Sequence, residues 1–533
     1  MTEMKRIPRA DFPEEVGVSS QTVLDFLSEM DSKGVEFHSF MVIRHGKVAC
    51  ECYRKPYSAD RPHAMYSVSK SFTATAVGFA VSEGLISLDT RLVDIFTEYA
   101  SKGDKYLSLI TVGQLLTMTA GKNPLVIADK SRVDWVKSYM TSPYYDEPGK
   151  SFRYISENTY MLSAIINRVT GMCMRDYLQP RLFEPLGIDY PYWETDKNGV
   201  EAGGWGLYLK TEDLAKFMLC YHQGGVFEGR QVIPREWAHT AVKAHADTSE
   251  SNNPNRDSLV GYCYGFWRNQ AYDNSWRADG MFSQFGIAFE DLDAIFVCTS
   301  GIASEQGARD YIWEYFPRAF DDSLTAADTV PDLKEKLDSK PVYVPAASRG
   351  AARQSMIDKK LIRVRKNILL NLIGFPPSVI PLHVLAYCTD HAGNIDNIVF
   401  DFGEGECEMY WSEGDESNSA MLGMDGRYRY GTIRIGGNDY RICANAEWTD
   451  DDTFNVYIRP IETIASRKLR FVFKGAKKVT IYPSSTPSIE SIALDFVNGT
   501  KMLIKSELVN ELVQSLLPLV PKVAEPKLKG RIK

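Results

Sequence analysis

Ser67 and Lys70 stand three residues apart in the run SVSKSFTATAVGFAVSEG, where a helix begins that Gly84 ends. At that spacing a hydroxyl and an amine share one helix face, with Cβ atoms about 5–6 Å apart. A serine hydroxyl holds its proton too tightly to attack a carbonyl at neutral pH. A lysine whose charge is disfavoured by burial can act as the base that takes that proton. Ser-x-x-Lys is therefore a compact arrangement for acyl transfer without histidine. Four residues alone describe an ordinary surface helix equally well, so the reading depends on a second proton handler, an oxyanion hole and a cleft.

Tyr154, in EPGKSFRYISENTY, is the candidate second proton handler, although most of the chain's 28 tyrosines must serve packing. It follows the turn signal Pro148-Gly149 and precedes a helix starting near Ser156. The oxyanion hole is assigned to two backbone N–H groups. One belongs to Ser67 at its helix N-terminus, and the other to Met281, just after Ala278-Asp279-Gly280 on an edge strand. Gly280 would admit close approach of backbone to substrate, while Asp279-Gly280 also reads as a plain turn.

These residues need elements to hold them. GVSSQTVLDFLSEMDSKG reads as a capped amphipathic helix, and HSFMVIRHGKVACECYRK as a hairpin turning at His45-Gly46. TVGQLLTMTAG, SENTYMLSAIINRVTG and TEDLAKFMLCYHQGG read as further helices. YCYGFWRN, NSWRADG, SQFGIAFE and AIFVCTSG are short alternating strands, followed by a helix at IWEYFPRAF. Strand, helices, then strands implies an α+β domain over 1–320 whose sheet both ends complete. Residues 321–360 are polar with scattered Pro and Ala and read as a linker or strap. Residues 361–533 carry strand signals such as NIVFDF, TFNVYIRPIE and KLRFVFKG, and KSELVNELVQSLLPLV reads as a closing helix. They suggest a mainly-β sandwich or open barrel, with no catalytic constellation of its own.

The chain's 533 residues exceed one ordinary core, and 44% hydrophobic with 24% charged residues describes a globular protein. A net charge of −8 argues against nucleic-acid partners and against anionic lipid. No apolar run reaches transmembrane length, and the N-terminus has no apolar signal core, so a cytoplasmic protein is expected. Nine scattered cysteines suit reduced thiols, with Cys50 and Cys52 packing residues on one strand face. No metal and no cofactor is expected. His63 reads as structural, Asp89 as a helix N-cap and Trp205 as core or cleft lining; Tyr139, Tyr144, Tyr145 and Trp193 are candidates for an apolar rim.

Taken in order, EEVGVSS, SFMVIRHGKV, YSVSKSFTATAVGFAVSEGLISLD, TVGQLLTMTAG, EPGKSFRY, GGWGLYLKTEDLAKF and RADGMFSQFGIAF resemble segments of the serine β-lactamase and penicillin-binding-protein superfamily, specifically its class C-related hydrolases. The resemblance spans roughly residues 14–320. It implies an antiparallel sheet flanked by helices, a helical subdomain beside it and a site between them. It also implies that Ser67 is the nucleophile, Lys70 its lysine and Tyr154 the tyrosine of a Tyr-x-Asn motif. Ser156 stands where that motif's asparagine is expected, and Asn158 lies close enough to supply an amide. The family's Lys/His-Thr/Ser-Gly strand triad falls on Ala278, Asp279 and Gly280. Ala278 has no cation, and Asp279 would repel a carboxylate but favour a cationic group, unless Arg277 turns inward.

The reading is a serine hydrolase cleaving a small ester or amide through a Ser67 acyl-enzyme. The alternatives are a D-aminopeptidase or D,D-peptidase, a weak β-lactamase, or a non-catalytic binding protein retaining the fold. Oligomeric state is left open.

Overall fold

The computed structural model describes residues 6–533 except 101–103, 124–133, 252–254, 340, 344, 350, 366–377, 382–383, 385–393 and 493–524, and every structural statement here concerns the described residues. The closing helix expected at 505–520 lies outside them. The chain forms two compact units, Met1–Lys340 and a second beginning at Pro341.

The first unit opens with helix α1 (Ser20–Ser32), whose N-cap Ser19 accepts from Thr22 N–H. Strands β1 (Phe37–Arg44) and β2 (Lys47–Tyr53) follow as a hairpin. His45 and Gly46 both adopt positive φ at its turn, which matches the twist of the paired strands. Helices α2 (Ser69–Ser82), α3 (Ser156–Thr170) and α4 (Thr211–His222) come next. Strands β3 (Trp267–Arg268), β4 (Ser275–Gly280), β5 (Gln284–Phe289) and β6 (Ala294–Ser300) return the chain to the sheet, and α5 (Glu305–Ala319) closes it.

The antiparallel sheet runs β2-β1-β6-β5-β4-β3, so strands from both ends of the unit complete it. Phe285, Ile287, Phe296 and Cys298 of β5 and β6 bury one face against Phe26 and Met30 of α1 and Ile312 and Phe316 of α5. On the other face Gly286 leaves room for Met218 of α4, since a Cβ there would sit 2.6 Å from its Cγ. Helix α2 is buried from Ser69 to Ala80. Its hydroxyls therefore bond inward, Ser71 to Gly265 O at 2.6 Å and Thr73 to Gly203 O at 2.9 Å.

Residues 321–339 belong to the first unit, and those around 329–337 pack on its core rather than forming a strap. Thr329 Oγ1 donates to Glu14 at 2.8 Å, and Leu333 and Leu337 enter the core beside α1. Residues 352–357, in the second half of the segment 321–360, form a helix of the second unit, whose first strand, β7 (Ile362–Val364), follows just beyond it.

That unit continues with β8 (Ile395–Phe402), β9 (Glu406–Glu413), β10 (Glu416–Gly423), β11 (Arg429–Ile435), β12 (Asn438–Trp448), β13 (Thr453–Pro460), β14 (Ser466–Lys474), β15 (Lys478–Thr486) and β16 (Leu528–Ile532). Its order is β10-β9-β8-β7-β16-β15-β14-β13-β12-β11, and a Gly423–Asn445 bridge joins β10 to β12. The sheet thus turns back on itself as a β-barrel, filled by side chains such as Phe400, Phe454 and Phe471. The expected α+β domain followed by a mainly-β domain is the observed architecture. No helix is long and apolar enough to cross a membrane.

Candidate active site

Ser67 lies in a single 3-10 turn, Tyr66–Val68, that feeds directly into α2. Tyr66 takes φ of 47°, a left-handed conformation rare for a bulky residue. Ser69 Oγ donates to Tyr66 O at 2.6 Å and accepts from Leu207 N at 3.2 Å, while Met65 N donates to Leu207 O at 2.8 Å. The turn is thereby clamped to the segment around residue 207. Ser67 itself is half-buried, whereas Lys70 is 1% exposed.

Lys70 Nζ contacts three oxygens: Ser67 Oγ at 2.9 Å, Ser156 Oγ at 3.0 Å and Gly204 O at 2.7 Å. Burial lowers its pKa to about 7, against the opposing pull of Glu157 and Asp279. Tyr154 completes the group. Its ring centroid lies 4.7 Å from Nζ, and it shares a hydrogen bond with Ser67. Burial pushes its phenol pKa well up, with the Ser67 hydrogen bond working the other way. The Tyr262 and Trp267 rings wall it in, with centroids 5.8 and 5.5 Å away. Of the two groups, the lysine is thus able to be neutral near pH 7, and the tyrosine stays a phenol.

Strand β4 brings the third part. A Cβ on Gly280 would stand 2.4 Å from Met65 O, so only glycine lets the strand end come this close to the Ser67 turn. Met281 follows at 37% exposure and opens a turn in which Phe282 and Ser283 both have positive φ. Gln284 holds that turn from beneath, donating to Phe282 O at 3.0 Å and Ser300 O at 2.8 Å.

Asp279 is placed differently from expectation. Its Oδ2 accepts from Arg277 Nε at 2.6 Å and Arg309 Nη1 at 3.2 Å, so its charge is answered inside the protein. Arg277 is fully buried and also bonds Asn269 at 2.6 Å and Ser258 at 2.9 Å. The carboxylate expected to attract a cationic substrate is thus an internal ion-pair member, with only 11% of its side chain exposed. Ala278 is buried.

Ser156 meets Lys70, but Asn158 does not. Asn158 accepts from Tyr139 Oη at 2.7 Å and donates to Met118 Sδ at 3.6 Å, turned into the core along α3. Tyr139 and Trp193 are buried rather than rim residues, while Tyr144 and Tyr145 keep partial exposure. Trp205 is core, and Cys50 and Cys52 pack in the sheet core. Asp89 lies in a turn and caps no helix. Sequence reasoning missed the Gly204 carbonyl and Gln284; the Gly-Gly-Trp-Gly run was the available signal for the first. No cluster of three or more metal-ligating side chains occurs among the described residues.

A family model described as Beta-lactamase matches residues 28–314, more than half of the chain. The chain belongs to the β-lactamase family. A 6-aminohexanoate-dimer hydrolase of Paenarthrobacter ureafaciens is 26% identical over 222 residues, which cover 38% of this chain and 56% of that protein. A lovastatin esterase of Penicillium rubens is 27% identical over 177 residues, 28% of this chain and 44% of that one. The chain spans about half the length of these curated relatives. Among solved structures, a penicillin-binding protein homologue from Caulobacter crescentus is similar with a TM-score of 0.43 and 18% identity, over 52% of this chain and 91% of that one. Ser67, Lys70, Tyr154 and Met281 all fall within the span that matches the β-lactamase family, and the barrel lies beyond it.

Proposed function

We propose that the protein is a serine hydrolase that cleaves a small ester or amide through an acyl-enzyme on Ser67. The observation that carries this is the 2.9 Å contact between Ser67 Oγ and a fully buried lysine amine held near a pKa of about 7.

Neutral Lys70 has two N–H groups and one lone pair. Ser156 Oγ and Gly204 O take the N–H groups, which leaves the lone pair for the Ser67 proton. As that proton moves to Nζ, Oγ attacks the substrate carbonyl carbon and the carbonyl π pair becomes the oxyanion. The Ser67 and Met281 N–H groups are the proposed donors to it. Collapse expels the alcohol or amine, which takes a proton from Tyr154 as the tyrosine recovers one from Lys70. Water then repeats the sequence, releasing the acid and restoring Ser67.

The substrate carries no essential carboxylate in this reading. Arg277 and Arg309 are both fully buried and bonded to Asp279, so the strand end presents no free cation to an anion. This disfavours efficient β-lactam turnover. The names of the two relatives, a 6-aminohexanoate-dimer hydrolase and a lovastatin esterase, favour an amide or ester.

A fluorophosphonate probe and a panel of p-nitrophenyl esters and amides test the proposal. Wild type should be labelled and active, and Ser67→Ala neither. Equal labelling of Ser67→Ala would sink the mechanism, and no labelling of wild type would favour a binding protein.

A further inference from the structure

Two turns, far apart in the chain, carry the two N–H groups proposed to hold the oxyanion. Ser67 follows Tyr66 in the 3-10 turn ahead of α2, and Met281 sits between Gly280 and Phe282 at the end of β4. The residue before Ser67 and the residue after Met281 are both left-handed, Tyr66 with φ of 47° and Phe282 with φ of 63°. Glycine takes that conformation freely, whereas a side chain there is disfavoured. An aromatic at each place is thus kept against the preference of its own backbone. The two rings meet each other. Their centroids lie 5.2 Å apart with planes at 68°, the edge-to-face arrangement that aromatic pairs favour. Both residues are buried, Tyr66 at 7% and Phe282 at 2% exposure.

We infer that Tyr66 and Phe282 are positioning residues, and that the contact between their rings sets the separation of the Ser67 and Met281 N–H groups. The use of those N–H groups rests on the proposed function, whereas the contact itself does not.

Each turn is fixed to a different part of the first unit. Ser69 Oγ donates to Tyr66 O at 2.6 Å and Met65 N to Leu207 O at 2.8 Å, so the Ser67 turn follows α2 and the segment around 207. Phe282 O accepts from Ser300 Oγ at 2.6 Å, Gln284 Nε2 at 3.0 Å and Ile302 N at 3.3 Å, so the other turn follows β5 and β6. Hydrogen bonds thus anchor each donor to its own support, and the spacing between donors is decided where the turns touch. Gly280 sets their nearest approach, because a Cβ there would stand 2.4 Å from Met65 O and 3.3 Å from Val68 Cγ2. The ring pair acts in the other direction. Drawing the turns apart would pull one ring's edge from the other's face and forfeit that contact.

The ring contact reaches the donors through the backbone. The Ser67 N–H belongs to the planar peptide joining Tyr66 to Ser67, so any rotation at Tyr66 re-aims it. Met281 is held between Gly280 and Phe282, so a displacement of Phe282 carries it along. An oxyanion donor acts at about 2.7–3.1 Å from the oxygen, and a misplacement of about 1 Å can cost about 10²-fold in rate.

Phe282→Leu and Phe282→Met each remove the ring and keep apolar bulk, so the position can be tested twice. Each should lower kcat for a p-nitrophenyl ester by about tenfold or more, with KM within about twofold and native circular dichroism. In a Tyr66→Leu background the ring contact is already gone, so the same substitution should lower kcat less than about threefold further. A pair that only stabilised the fold would couple in melting temperature and leave kcat unchanged. Crystal structures supply a readout apart from hydrolysis. The distance between Ser67 N and Met281 N should differ from wild type by about 0.5 Å or more in Phe282→Leu. Undiminished kcat in both ringless variants, equal losses with and without the Tyr66 ring, or donors that stay in place would overturn the inference. A wild-type protein that turns over no ester and takes no fluorophosphonate label overturns the proposed function instead. The distance between the two nitrogens then still decides whether the ring pair sets their spacing.

Discussion

Lys70 satisfies its three contacts in either charge state, with three N–H donors when charged and two donors plus a lone pair when neutral. Titration near pH 7 therefore requires no rearrangement of Ser156 or Gly204. The expected consequence is a value of kcat/KM that rises with pH through about 7 as the amine loses its proton. Lys70→Met should remove this limb and cost about 10²–10⁴ in rate, read by stopped-flow acylation. The sign for stability is also fixed. A lysine depressed from 10.5 to about 7 binds fewer protons folded than unfolded across that interval, so its contribution makes stability rise with pH there. A Lys70→Met variant should lose that slope in thermal denaturation. The Ser67–Lys70 contact was legible because it is local, between residues three apart where a turn feeds a helix. Gly204 was not, because its contribution is a carbonyl oxygen that every residue possesses. Its approach to Lys70 depends on a contact 134 positions away in the chain.

At the scale of elements, β4 meets the Ser67 turn on one face and α5 on the other. Gly280→Ala would place a Cβ 2.4 Å from Met65 O, and backbone cannot yield as a flexible side chain can. The strand end must move away, taking the Met281 N–H with it. A fall in kcat of about 10²-fold is expected, with native circular dichroism retained. On the opposite face, Asp279→Asn leaves Arg277 and Arg309 short of one negative charge in a buried network that also includes Asp257. Breaking such a network costs about 3–5 kcal/mol, measurable by urea denaturation. Because Asp279 also holds the Lys70 pKa up, the same change should move the activity limb to lower pH. The strands and helices of this unit were readable from alternation, caps and glycine stops. The pairing of Asp279 was only half readable: Arg277, two residues before it, was the neighbour whose inward turn mattered, while its second partner Arg309 comes from a helix 30 residues later.

For the molecule as a whole, the division between units falls at 340 and 341. Composition placed a linker over 321–360 because Pro, Ala and charged residues dominate there, and Leu333 and Leu337 inside such a stretch give little periodic signal. Those leucines decide the boundary physically. Leu333 and Leu337 are buried, and residues 329 and 330 bond Glu14 and Ser20 at 2.8 Å each, so the segment caps the core at the chain's own N-terminal helix. Burying the two leucines contributes about 3–6 kcal/mol. A fragment of residues 1–340 is therefore expected to unfold cooperatively, whereas 1–325 should be less stable by that amount or aggregate. Ser67, Lys70, Tyr154, Ser156, Gly204 and Met281 all precede residue 340, so fluorophosphonate labelling of the longer fragment separates two roles for the barrel. Labelling at the wild-type rate leaves the chemistry wholly to the first unit. A rate at least tenfold lower, in a fragment with native circular dichroism, would make the barrel part of the working site.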